Sequence, residues 1–339
     1  MKAYPLHRHG KPQVLKLGNV PEPKPEKGEV RVKLKYIGLN YAEILSRKGL
    51  YGWAPDKPYI PGMEGFGEID ALGEGVDNFK LGQPVIVGSQ YGNYAEKVVI
   101  PAEQALTPFD HLTDEENTAI AVNGLTAWVS LFELARLKID DIVLVQAAAG
   151  GVGSMAVKLA KAHGNTVYGT AGSDEKIAML KDLGIDLAIN YRKDDFENVI
   201  RQQTNAGVDV ILEMVGGDVF KKSVDLLNPF GRIMVMGFAS LDLKKWNPVS
   251  WWKTWQDAPK MKIKQMAENS HCLMASHLGY LLPNKELLLS TWSRFSEFVN
   301  QHQIKPVVGH VLEFDQLPEA HELMESRASK GKIVLRLPS

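Results

Sequence analysis

Residues 141–164 read DIVLVQAAAGGVGSMAVKLAKAHG. An apolar run, DIVLV, leads into a glycine-rich turn, QAAAGGVG (residues 146–153), and then into an amphipathic stretch with helical spacing. In the frame G-x-G-x-x-G the three positions are Ala148, Gly150 and Gly153. A slightly wider turn tolerates the alanine. Gly150 lets backbone approach a pyrophosphate, and Gly153 lets the helix pack against the strand. The N–H groups at the helix start, at Gly151 and Val152, face the phosphates and are helped by the helix dipole. A lone glycine triplet is weak evidence. One placed between a strand and a helix is much stronger.

The surrounding chain supplies that context. The runs TVYGT, LAINY, VDVILEMV, RIMVMGF and HCLMASHLG follow, separated by amphipathic segments such as DEKIAMLKDLG and FENVIRQQT. Apolar strands alternating with helices predict a parallel sheet covered on both faces, and six of them match a doubly wound nucleotide-binding α/β domain. Residues 1 to about 110 have another texture. EVRVKLKYIGL, PVIVGS and YAEKVVI read as strands broken by glycine and proline, and VPEPKPEKGE reads as an exposed loop. A long helix, KELLLSTWSRFSEFVNQH, follows residue 279, and the strand-like ends of the closing segment are expected to rejoin the first domain. The expected division is 124–279 for the nucleotide-binding domain, and 1–123 with 280–339 for a β-rich catalytic domain.

The second strand leads into residues 167–176, VYGTAGSDEK. NAD sites place a carboxylate at this strand end, where it binds the ribose 2′-hydroxyl. Here Thr170, Ala171 and Gly172 stand there, and Ser173 caps a helix whose first turn holds Asp174 and Glu175. Lys176 is placed to reach a 2′-phosphate, and Tyr191 and Arg192 to border the adenine and the same phosphate. The pattern favours NADPH over NADH, with Asp174 as the residue that speaks against it.

Bulk properties exclude several classes. The 339 residues carry a formal charge of −1, with 45% apolar and 23% charged residues, so nothing demands nucleic acid as a partner. The N-terminal ten residues lack the apolar core of a signal peptide, no run is long enough to span a bilayer, and Cys272 is the sole cysteine. A cytoplasmic setting is the expectation. Cys272 itself is expected as a buried, inert thiol on its apolar strand. Residues 241–264 stand apart, with four of the seven tryptophans and six lysines against two acids. That segment reads either as a membrane-surface patch or as a connection with packed tryptophans and solvated lysines.

Taken together, GLNYAEILSRKGLY, IPGMEGFGEIDALGEGV, NGLTAW, VQAAAGGVG, GTAGS, INY and GKIVL resemble the medium-chain dehydrogenase/reductase superfamily. The chain is most similar to its zinc-independent quinone oxidoreductase group, and NYAEILSRKGLY, PGMEG and SHLGYL to the synaptic-vesicle-membrane-protein-like branch. The resemblance implies a GroES-like β-rich catalytic domain, a Rossmann domain, an active site between them, and a homodimer joined through strand 271–279. The zinc-ligand positions of alcohol dehydrogenases carry Asn40, Met63 and Val122, so no metal is expected, and Glu64 is expected as a hydrogen-bonding strut. The implied activity is hydride transfer from NADPH to a quinone or an α,β-unsaturated carbonyl. The implied roles place Asn40 and Thr126 at the nicotinamide or its ribose, and Tyr41 and Tyr51 along the acceptor pocket. Val215, Gly216, Phe238, Ala239 and Lys332 are expected to edge the cofactor. A second reading, carried by the tryptophan–lysine segment, is an NADPH-binding scaffold associated with membrane or lipid.

Overall fold

The computed structural model describes residues 1–204, 206–237 and 259–338. Phe238, Ala239 and residues 241–258 of the tryptophan–lysine segment lie outside the described residues. The chain divides into two compact units, Thr126–His277 and Met1–Leu125 joined by Leu278–Ser339.

The first unit is built on a parallel sheet of β1 (Ile142–Val145), β2 (Thr166–Ala171), β3 (Leu187–Asn190), β4 (Val208–Glu213), β5 (Leu227–Val235) and β6 (Cys272–Ala275). Their spatial order is β3-β2-β1-β4-β5-β6. The order reverses direction between β1 and β4, the switch point at which doubly wound sheets bind ligands. The helices α1 (Gly151–His163), α2 (Asp174–Asp182), α3 (Phe196–Thr204) and α4 (Gly217–Asp225) connect these strands. Leu144, Ile189, Ile211 and Ile233 from the strands pack with Phe196, Ile200 and Phe220 from the helices in one buried cluster. Burial of this kind is worth about 1.5–3 kcal/mol per large side chain, which explains why the strands carry so few polar residues.

One expectation is corrected here. Cys272 is exposed, not buried. It opens β6, the outermost strand among the described residues, which pairs with β5 on one side. An apolar run gives no sign of whether its strand lies at a sheet's centre or its edge.

The second unit is a seven-stranded sheet. Its central strand, Glu29–Gly38, runs antiparallel to Glu64–Leu72 on one side and to Lys332–Arg336 on the other. The N-terminal half of the same strand also pairs with Lys97–Pro101. Both closing strands, Val308–Glu313 and Lys332–Arg336, belong to this sheet. The alternation in EVRVKLKYIG is that of a half-buried strand: Val30, Val32 and Leu34 enter the core while Lys33 and Lys35 stay at the surface.

Candidate active site

The glycine turn begins where β1 ends. Ala147 adopts φ 50°, a left-handed conformation uncommon for a residue with a β-carbon. Its N–H donates to Thr170 Oγ1 at 3.3 Å, and the Ala148 N–H donates to the Thr170 carbonyl at 2.9 Å. Thr170 Oγ1 donates in turn to Gln146 Oε1 at 2.6 Å, and Gln146 Nε2 to Ser223 Oγ at 3.1 Å. The turn is thereby pinned to the ends of β2 and α4. Gly150 caps α1, with Gly151 and Val152 half-buried in its first turn.

The two motif glycines differ in what surrounds them. A β-carbon at Gly153 would lie 2.5 Å from the Ala147 carbonyl oxygen and 2.7 Å from Ala148 Cα. A β-carbon at Gly150 would meet a single atom, at 3.4 Å. Gly153 is therefore a packing glycine that seals helix to strand, and Gly150 borders open space. That is the difference the motif requires.

At the end of β2, Ala171 is buried and Gly172 lies under the Tyr191 phenol, so that a β-carbon there would stand 2.4 Å from the hydroxyl. Ser173 Oγ caps α2 by accepting from the Lys176 N–H at 3.3 Å. The Asp174 carboxylate is engaged by the neighbouring strand and the turn after it, accepting from Asn190 Nδ2 at 2.9 Å and from Lys193 Nζ at 2.6 Å. Burial, and then the charge of Arg192, hold the Lys176 ammonium below the usual lysine range. Beyond β4, the carboxylate of buried Glu213 accepts from the N–H groups of Val215 and Gly216, the latter at 2.8 Å. Glu213, whose carboxyl is raised above its usual range by burial, thus shapes the loop that holds two of the expected cofactor residues. Sequence reasoning missed it.

In the other unit a second group of expected residues converges. Asn40 precedes the helix Tyr41–Lys48 and is buried. Its Nδ2 donates to Glu64 Oε1 at 2.9 Å, and its Oδ1 accepts from Lys332 Nζ at 2.7 Å. Lys332 and Glu64, both fully enclosed, form an ion pair. Glu64 Oε2 accepts from the Val122 N–H at 3.1 Å. Glu43 holds the backbone of the same corner, accepting from the N–H groups of Asn40 at 2.9 Å and Met63 at 2.8 Å. Tyr94 donates to Glu43 Oε2 at 2.5 Å, and its hydroxyl also meets His321 Nε2 at 3.0 Å. Burial raises the Glu43 carboxyl to about 6, and burial followed by Arg47 lowers His321 to about 3. Glu43 and Tyr94 were not singled out from the sequence. The N-x-x-E spacing of Asn40 and Glu43, a helix-capping pattern, is the signal that could have found the first of them.

The remaining expected residues are more dispersed. Tyr41 is exposed at the start of its helix. Tyr51 is half-buried edge-on to Trp53 at 6.5 Å, and burial pushes its phenol up to about 12. Thr126 is half-buried, and its carbonyl accepts from Ser130 at 2.7 Å.

A zinc ion does not fit this donor set. Glu64 is already bound to an ammonium, an amide and a backbone N–H, and neither Met63 nor Val122 offers a hard or anionic ligand. Among the described residues, no three His, Cys, Asp or Glu side chains converge for a metal, and no helix is long and apolar enough to cross a membrane.

Residues 26–110 match the alcohol dehydrogenase GroES-like domain, and residues 151–267 match the family described as zinc-binding dehydrogenase. The synaptic vesicle membrane protein VAT-1 homolog of Homo sapiens is 35% identical over 315 residues, 92% of this chain and 80% of that protein. Prostaglandin reductase-3 of Mus musculus is 41% identical over 221 residues, 65% of this chain and 58% of that protein. Among solved structures, the Escherichia coli quinone oxidoreductase complexed with NADPH superposes with a TM-score of 0.87 at 28% identity, covering 99% of this chain and all of that one. The open Rossmann turn, the GroES-like sheet and a relative matched over four-fifths of its length agree: the chain belongs to the medium-chain dehydrogenase/reductase superfamily, in the branch of the VAT-1 homologues.

Proposed function

We propose that the chain is an NADPH-dependent, zinc-independent reductase of quinones or α,β-unsaturated carbonyls. The observation that carries this reading is the contrast inside the glycine turn: Gly153 sealed against backbone, Gly150 open to a ligand. The pyrophosphate would lie against Gly150, whose own N–H is held by the Ala147 carbonyl at 3.0 Å, and rest on the N–H groups of Gly151, Val152 and Gly153. Ala171, Gly172 and Ser173 would take the adenosine ribose, with Tyr191 beside the adenine. Preference for the 2′-phosphate rests on Lys176 and Arg192, two cations whose mutual repulsion a dianion would relieve. It rests equally on Asp174, whose carboxylate is tied to Asn190 and Lys193. Val215, Gly216 and, by resemblance, Phe238 and Ala239 would border the nicotinamide end.

When bound, NADPH supplies a hydride from C4 of its nicotinamide. The chain's part is to orient that ring and shape the acceptor pocket. Asn40 and Thr126 would contact the nicotinamide or its ribose, and Tyr41 and Tyr51 would line the acceptor. With its phenol near 12, Tyr51 would serve as a hydrogen-bond donor rather than as the acid. The proton that completes the reduction would come from solvent. With no metal to polarise a carbonyl, a conjugated acceptor suits the site, because its own π-system spreads the incoming charge. The protein would act as a cytoplasmic homodimer, with exposed β6 continuing the sheet of a second copy.

The test is NADPH oxidation measured against quinones, conjugated enones and matched saturated ketones. Turnover of the first two groups with NADPH, and much less with NADH, is expected. Turnover confined to saturated ketones would sink the proposal.

A further inference from the structure

Glu64 and Lys332 lie on the two strands that flank Glu29–Gly38, and they meet beside the last residue of that strand, Gly38. A β-carbon on Gly38 would stand 2.8 Å from Glu64 Cγ, from Glu64 Oε1 and from Lys332 Cε. The space left by this missing side chain is where the carboxylate and the ammonium come together. Two residues further on, the Asn40 amide is gripped at both ends: the carboxylate accepts from Nδ2 and the ammonium donates to Oδ1. Flipping the amide would aim its N–H groups at the ammonium and its oxygen at the carboxylate. Its orientation is thus fixed by charge, in an enclosed place where charge acts strongly. One lone pair of Oδ1 is left over, with a second Nδ2 hydrogen held by a 3.5 Å contact to Glu43.

We infer that Gly38, Glu64 and Lys332 form a positioning unit that sets the Asn40 amide for the reacting end of the cofactor. Glu64 and Lys332 act through Asn40 and touch neither cofactor nor acceptor. Lys332 therefore differs from the cofactor contact that family resemblance implies. The inference rests on the reading of Asn40 as a nicotinamide contact.

Gly38→Ala tests it without altering any charge. The added methyl meets flexible side chains rather than backbone, so the protein is expected to fold with the ion pair displaced. The expected result is a fall in kcat of about tenfold or more, with KM for NADPH changed by less than about threefold. The second test removes both charges. Lys332→Met alone strands a buried carboxylate and should lower the Tm by roughly 10 °C. Glu64→Met/Lys332→Met should recover most of that Tm, because buried pairs replaced by apolar side chains fold well. Its kcat should stay low, and its crystal structure should show the Asn40 amide in more than one orientation. A double variant with parental kcat, or with Asn40 held as in the parent, would overturn the inference. If the parent reduces no acceptor with NADPH, the functional reading fails on its own, and the Asn40 orientation still decides the positioning role.

Discussion

The two groups of candidate residues are built on opposite principles. At the glycine turn the working atoms are backbone N–H groups, side chains are small, and the key feature is space left open at Gly150. Around Asn40 the working atoms are charged side chains, fully enclosed, with Glu64 holding an ammonium, an amide and a backbone N–H at once. A site for a diphosphate needs donors with no competing partner. A site that must hold one amide still needs partners already in place. The first is therefore sensitive to added volume, and the second to lost charge.

Four predictions separate these sensitivities, from the largest effect to the smallest. Gly153→Val should prevent a stable native unit from forming, because its β-carbon meets backbone atoms at 2.5 and 2.7 Å that cannot move aside. Soluble protein with the parental unfolding midpoint would refute the packing role. The next concerns pH. His321 titrates near 6.5 when unfolded and is lowered to about 3 in the fold. As pH falls, the unfolded chain takes up the proton first. Stability present above about pH 6.5 is thus lost on the way down to pH 3, by on the order of 5 kcal/mol in all. Glu43 acts in the opposite sense: its carboxyl, raised to about 6, is protonated first in the native state. It restores about 2 kcal/mol as pH falls from 6 to its unfolded value. Urea midpoints measured from pH 7 to 4 should fall less steeply for His321→Gln than for the parent, and equal slopes would show that the buried imidazole is not the source.

The two smaller predictions concern binding. Gly150→Ala should fold with the parental midpoint, since its β-carbon meets one atom at 3.4 Å. It should nonetheless bind NADPH about tenfold more weakly, because the methyl enters the space a pyrophosphate would use. Unchanged affinity in a fluorescence titration would mean the phosphates lie elsewhere. Lys176→Ala should weaken NADPH severalfold and leave NADH nearly unchanged, an effect on the order of 1 kcal/mol for one charge-assisted contact. Equal losses for the two nucleotides would remove the assignment of the 2′-phosphate.

The contrast between the regions also governs what a sequence reader can see. The glycine turn and its strands are local patterns, so DIVLVQAAAGGVG announces both its fold and its ligand class. Glu64 was readable as a strut because PGMEG lies beside positions stripped of zinc ligands. Its partner was not readable: Lys332 stands 268 residues away, and nothing in GKIVL states that its ammonium is buried. Tyr94 and His321, 227 residues apart, are hidden for the same reason. Cys272 was misjudged because hydrophobicity reports burial poorly in an outer strand, and among the described residues β6 pairs with β5 on one side.

The most direct measurement of the central claim uses NADPH with both C4 hydrogens replaced by deuterium and a conjugated enone, after the protein has been stripped with a chelator. Mass spectrometry of the product should find one deuterium at the β-carbon, formed at the same rate as by protein not treated with chelator. Product without label at that carbon, or turnover that appears only when zinc is restored, would contradict direct, metal-free hydride transfer.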